Sequence, residues 1–181
     1  MKPVRSNYKG RHIHSPFAYH LVSEVIFIKT EFADEDWHID LKIFGDDYQK
    51  YRLLIRLLCF FKPETIAIQG AATENLEILI SKYYKAENPV VLIVEKDFPE
   101  QNYDFVIWTE IQNQKKEIPG NISESIWFMF DIQQNNMWEF FEKLKLNTMV
   151  TQTYELNSCG IVIFNPKFQK QDFVIKGKKS Y

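Results

Sequence analysis

An α/β fold built on an open, mostly parallel sheet is predicted by three features of this chain. First, Thr65–Gln69, Val90–Glu95, Phe105–Trp108 and Ile126–Phe130 are short apolar runs of strand length. Second, the helical segment Glu74–Tyr84 separates the first two runs. Strand, helix and strand in so short a span force parallel pairing with a right-handed crossover. Third, the end of the chain changes character. Met149–Leu156 and Gly160–Asn165 read as two β segments around Asn157-Ser158-Cys159-Gly160, and Asp172–Lys176 reads as a third. Antiparallel strands often close a parallel sheet in this way.

The other elements follow in order. Ser15 suits a helix cap and Pro16 the first helical position, while Phe17, Leu21, Val22, Val25 and Ile26 recur at helical spacing. From Glu31 to Asp47 seven acids stand against one lysine, Lys42, a loop or a short irregular helix. Asp46–Phe61 is strongly helical, with Tyr51, Leu54, Ile55, Leu58 and Phe61 on one face, and Pro63 stops it. Met137–Leu146 is a last helix, with Trp138, Phe141 and Leu144 together. No repeat, low-complexity stretch or linker interrupts the chain. It reads as one domain, 1–181, with a helical region over 1–62 and the sheet-bearing core over 63–181.

Composition narrows the function classes. A chain of 181 residues, 45% apolar and 25% charged, suits one globular domain with a sizeable core. The aromatic share is high, 15% with 15 Phe, and predicts a Phe-rich core. Net charge is −2, unevenly placed. Residues 1–14 and 167–181 each carry +4, which leaves −10 on the body between them. An acidic body repels a phosphate backbone, so nucleic acid is not expected as a partner and the basic ends read as solvated tails. Cys59 and Cys159 lack metal-type spacing and read as buried thiols in a reducing compartment. No apolar stretch approaches the ~20 residues that span a bilayer, and no secretion signal is apparent. The expected location is cytoplasmic, with no membrane partner.

The candidate site is the turn after the first apolar run, Ile66-Ala67-Ile68-Gln69-Gly70-Ala71-Ala72-Thr73. In an open α/β sheet a glycine there lets a nucleotide-type ligand approach the backbone, and the following helix presents free N–H groups. This turn has one glycine, Gly70, and an acid, Glu74, four residues later. Glu95 ends the second run, where an acid can accept hydrogen bonds from ribose hydroxyls. Asp131 is the evident acid after the fourth run and the candidate catalytic residue. Apart from His12-x-His14, a weak signal, His12, His14, His20 and His38 lack tight metal spacing, and no metal site is expected.

Four segments carry a family likeness. They are His14-Ser15-Pro16-Phe17-Ala18-Tyr19; Leu53–Pro63 with Thr65-Ile66; Phe128-Met129-Phe130-Asp131-Ile132 with Met137-Trp138; and Gly160–Phe164 with Phe173-Val174-Ile175. In this order the chain resembles class I S-adenosylmethionine-dependent methyltransferases, and within them a bacterial subgroup of small O-methyltransferase-like proteins. The resemblance implies a Rossmann-like sheet with helices on both faces, one antiparallel strand, and cofactor over the carboxyl ends of the first two strands.

Position by position, the family's loop acid falls on Ile68, its first glycine on Gly70 and its second on Glu74. After the fourth strand, Thr109 and Gln112 stand where the subgroup has an acid and a histidine. After the fifth, Phe130 and Asp131 leave one acid in place of two. Only eight residues separate Glu95 from Asp104, too few for the family's helix–strand–helix, so one edge strand is expected to be missing. These departures imply a degenerate, non-catalytic binding or interaction module with no cofactor. The alternatives are an active enzyme, with S-adenosylmethionine held by Gly70 and Glu95 and with Asp131 acting on a small acceptor, and a homodimeric scaffold paired through the exposed sheet edge.

Overall fold

The computed structural model describes residues 3–7, 13–27, 48–70, 73–84, 90–94, 102–111, 118 and 122–176. Its strands are β1 (Val4–Asn7), β2 (Thr65–Gln69), β3 (Val90–Val94), β4 (Phe105–Trp108), β5 (Ser125–Met129), β6 (Gln152–Glu155), β7 (Gly160–Phe164) and β8 (Gln171–Lys176). Its α-helices are α1 (Pro16–His20), α2 (Tyr48–Phe61), α3 (Thr73–Tyr83) and α4 (Asn135–Leu146). The strands form one sheet in the order β1-β8-β6-β7-β5-β4-β2-β3. β7 runs antiparallel to both of its neighbours, and every other pairing is parallel. The fold is therefore the expected Rossmann-like α/β sheet. The antiparallel strand is the penultimate one, and β8 returns parallel to β6. At the far edge β3 has one partner among the described strands, β2.

Period-2 alternation sends each strand's side chains to two cores. Ile66, Ile68, Phe105, Ile107, Phe128, Ile161, Ile163, Phe173 and Ile175 pack with residues of α1, α2 and α3. Ala67, Val106, Trp108, Trp127, Met129, Val162 and Phe164 pack with Met137, Phe140, Phe141 and Leu144 of α4. Helices thus cover both faces. The parallel strands β2 and β4 are apolar almost throughout because both their faces are covered.

Local chemistry sets the element ends. The Ala18 amide donates to Ser15 Oγ at 3.3 Å, and Pro16 opens α1. The helix continues as a π-helical stretch, Leu21–Ile26, that buries Leu21, Val22, Val25 and Ile26. At the end of α2 Lys62 turns left-handed (φ 51°) and Pro63 prevents continuation. The Tyr84 hydroxyl donates to the Pro63 carbonyl at 2.8 Å, fixing the end of α3 beside the start of β2.

Asp104 ties the amino ends of β2 and β4 together. Its Oδ2 accepts from the Thr65 amide (2.8 Å), the Thr65 hydroxyl (2.9 Å) and the Glu64 amide (3.0 Å). Hydrogen bonds to a charged acceptor are the stronger kind. Asp104→Ala is expected to cost about 2–3 kcal/mol in urea denaturation, by leaving these donors without their acceptor. Asp104→Asn, which keeps one oxygen, is expected to lose about half as much.

Two expectations are corrected. The basic N-terminal segment is not wholly a solvated tail: Val4–Asn7 is an edge strand, paired in parallel with Phe173–Lys176 of the basic C-terminal segment. The region 1–62 is therefore not helical alone. Of the thiols, Cys159 is buried, but Cys59 lies exposed on the outer side of α2. No helix among the described residues is long and apolar enough to cross a membrane.

Candidate functional site

The sheet changes direction between β2 and β4. The chain leaves β2 for α3 and β3 on one side, then crosses back to β4 on the other. Ligands of open α/β sheets bind outside the carboxyl ends of the strands at such a point. Gly70, Thr109 and Glu110 meet there.

Gly70 adopts φ +113°, a backbone conformation that side chains rarely take. A Cβ built on it would stand 2.5 Å from Thr109 Oγ1, 2.6 Å from the Glu110 amide nitrogen and 3.0 Å from the Glu110 carbonyl oxygen. The glycine is required because the loop after β4 closes onto it. Thr109 makes that closure specific: its amide and its hydroxyl both donate to the Gln69 carbonyl, at 2.9 and 3.2 Å. Where the family likeness expects an acid, the chain has a latch between the ends of two strands. Ile68, at the loop-acid position, is fully buried in the core beneath α1–α3.

Asp131 follows β5 and is held in the left-handed region, φ 45°. An aspartate tolerates that conformation better than most residues. Its carbonyl accepts from the Gln134 amide at 3.0 Å, and the Ile132 amide donates to Ser158 at 2.8 Å, so the loop is fixed on both sides. Its carboxylate Oδ1 accepts from Lys50 Nζ at 2.5 Å, and the lysine side chain is 11% exposed. Beside this pair the rings of Tyr51 and Phe130 meet with centroids 5.3 Å apart. Together they pin the start of α2 to the carboxyl end of β5. Lys50 was not foreseen as a partner. Its signal was a lysine three residues before Leu53 and four before Leu54, on the apolar side of α2.

The predicted site is thus only partly assembled by the described residues. Gly70 lies at the β2–β4 crevice, and Asp131 lies beyond β4 at the end of β5. Glu95 and Gln112 fall outside the described residues, as do His12 and His38. His14 is exposed, and His20 pairs with Glu24 at 3.0 Å on the outer side of α1. Among the described residues no group of three or more His, Cys, Asp or Glu is placed to hold a metal ion.

A cleft of about 230 Å³ opens beside Glu110 and Ile111, closed on its other wall by Gln134–Met137 at the start of α4. Small-molecule pockets typically enclose roughly 300–1,000 Å³. The cleft is small on that scale and carries an acid on its wall. Compared with protein-family models, with curated proteins and with solved structures, the chain matches none.

Proposed function

We propose that this chain is a methyltransferase-like domain that has lost cofactor chemistry and serves as a non-catalytic binding or interaction module of the cytoplasm. The observation that carries the reading is the filled space at Gly70. A glycine kept for a ligand leaves room on its open side; here Thr109 Oγ1 and the Glu110 backbone take that room. The candidate catalytic carboxylate, Asp131, is engaged by a lysine of α2. One of its two carboxylate oxygens is therefore already hydrogen-bonded by an ammonium. The interaction surface we favour is the outer edge of β3, since strand edges present unpaired backbone groups to a second chain.

Calorimetry with S-adenosylmethionine and the full chain tests the reading, and no saturable heat is expected at millimolar cofactor. Saturable binding abolished by Glu95→Ala would establish the active-enzyme alternative instead. Sedimentation tests the edge: a dimer broken by a proline within Val90–Val94 supports it, and a clean monomer counts against it.

A further inference from the structure

We propose that the cleft between Glu110–Ile111 and the start of α4 is a binding site for a small protonated amine, with the Glu110 carboxylate as its counter-charge. The sheet brings the acid there. Val106 and Trp108 pack in the core beneath α4, and the period-2 alternation of β4, carried two residues past Trp108, puts Glu110 on the same side. There it lines the cleft together with Gln134, Asn135 and Asn136, and Ile111 and Met137 supply the apolar lining. Glu110 is half-buried. Every other half-buried carboxylate among the described side chains has a partner. Asp104 accepts from Thr65, Asp131 pairs with Lys50, Glu142 and Glu155 share Lys145, and Asp172 accepts from Thr153. The Glu110 carboxylate alone has neither an ion pair nor a hydrogen bond among the described residues.

A carboxylate drawn partly out of water favours a partner that replaces the lost hydration. Among the lining residues Glu110 is the one charged side chain. The amino end of α4 adds about half a positive charge. That is less than the full negative charge of the acid, so the cleft stays net negative and selects a cation over an anion. An ammonium head carries three N–H donors, and carboxamides offer acceptors as well as donors. One N–H answers Glu110, and the oxygens of Gln134 and Asn135 can take the others. Ile111 and Met137 are 7% and 1% exposed and give a short hydrocarbon stem an apolar surface. A volume of about 230 Å³ admits a molecule below drug size. The inference rests on the reading of the chain as a binding module and names a ligand class for it. It does not involve the β3 edge or S-adenosylmethionine. A silent cleft therefore leaves the outcomes of sedimentation and of cofactor calorimetry standing, and the two failures are distinguishable.

Methyl NMR of the full chain, labelled at methionine, tests the site, because Met137 lines the cleft and Met149 does not. n-Butylamine hydrochloride, n-butanol and sodium butyrate carry short stems with a positive, a neutral and a negative head. Each is titrated at neutral pH, with ionic strength matched by sodium chloride. A saturable shift of the Met137 methyl with butylammonium is expected, with Met149 unmoved. Butanol is expected to bind more weakly, and butyrate to give no saturable shift. Glu110→Gln keeps the shape of the side chain and removes its charge. It is expected to leave Tm unchanged and to raise the half-saturating concentration of butylammonium about tenfold, the worth of a hydrogen bond to a charged group. Asn135→Lys, at an exposed position, sets a cation in the same cleft as Glu110. It is expected to abolish the shift and keeps the test open if the first variant fails to fold. No saturable shift, an equal response to the three probes, or a shift unchanged in the folded variants overturns the proposal.

Discussion

Gly70→Ala is expected to lower the stability of the chain by about 2–6 kcal/mol, through two contributions that add. A non-glycine residue forced into a sparsely populated backbone region costs of order 1–3 kcal/mol. Gly70 sits at φ +113°, outside the small left-handed basin that other residues visit. The second contribution is overpacking, typically 1–3 kcal/mol. The new methyl would meet Thr109 Oγ1 at 2.5 Å and the Glu110 amide nitrogen at 2.6 Å. A hydroxyl can rotate aside, but a backbone amide cannot. Thr109→Ala in the same chain should therefore recover only a minor part of the loss. Urea denaturation measures both. The result also separates two meanings of this glycine. One that makes room for a ligand can be replaced with little change in folding and a large change in binding. One that lets two loops close costs folding stability when replaced. A loss below about 1 kcal/mol would mean that the loop after β4 moves away readily, which would reopen the crevice to a cofactor.

The sheet was legible where burial on both faces makes a strand apolar throughout. Thr65–Gln69 and Phe105–Trp108 were read with the bounds that β2 and β4 have. Strand β5 was read one residue late. Ser125 is a buried polar strand residue whose hydroxyl accepts from the Trp127 indole, a role that hydropathy does not show. Strand β1 was missed because Val4-Arg5-Ser6-Asn7 has no apolar pattern. It exists by pairing with β8, about 170 residues away in sequence. The site divides along the same line. That Gly70 makes a turn follows from local chemistry. That the turn is shut follows from Thr109 and Glu110, forty residues later, and no local pattern reports it. Lys50 and Arg56 left a visible trace, cations among helix leucines, but that Asp131 answers Lys50 and the Ile26 carbonyl meets Arg56 is a matter of packing.

Trp127→Ala is expected to be the other severe substitution, at about 3–5 kcal/mol, the range for truncating a buried aromatic. Trp127 is 1% exposed at the centre of the core beneath α4. Its ring centroid lies 4.7 Å from Phe164, 5.4 Å from Trp108 and 6.3 Å from Phe140, so one side chain joins β7, β4 and α4. Its indole N–H donates to Ser125 Oγ at 3.1 Å, and Ser125 is itself 1% exposed. Trp127→Phe keeps much of the volume but leaves that hydroxyl without its donor, for a cost of about 1–3 kcal/mol. Trp138 supplies the contrast on α4. It is 38% exposed, with Lys145 Nζ 5.1 Å from its ring and Phe141 at 6.3 Å. Trp138→Ala is expected to cost no more than about 1 kcal/mol, since a partly exposed ring loses little burial and an exposed cation–π contact is worth roughly 0.5–1 kcal/mol. Equal losses at the two tryptophans would mean that α4 does not pack through Phe140 and Phe141 as described. If the contrast holds, α4 is a firmly seated helix, and the small cleft at its start has a rigid wall on that side.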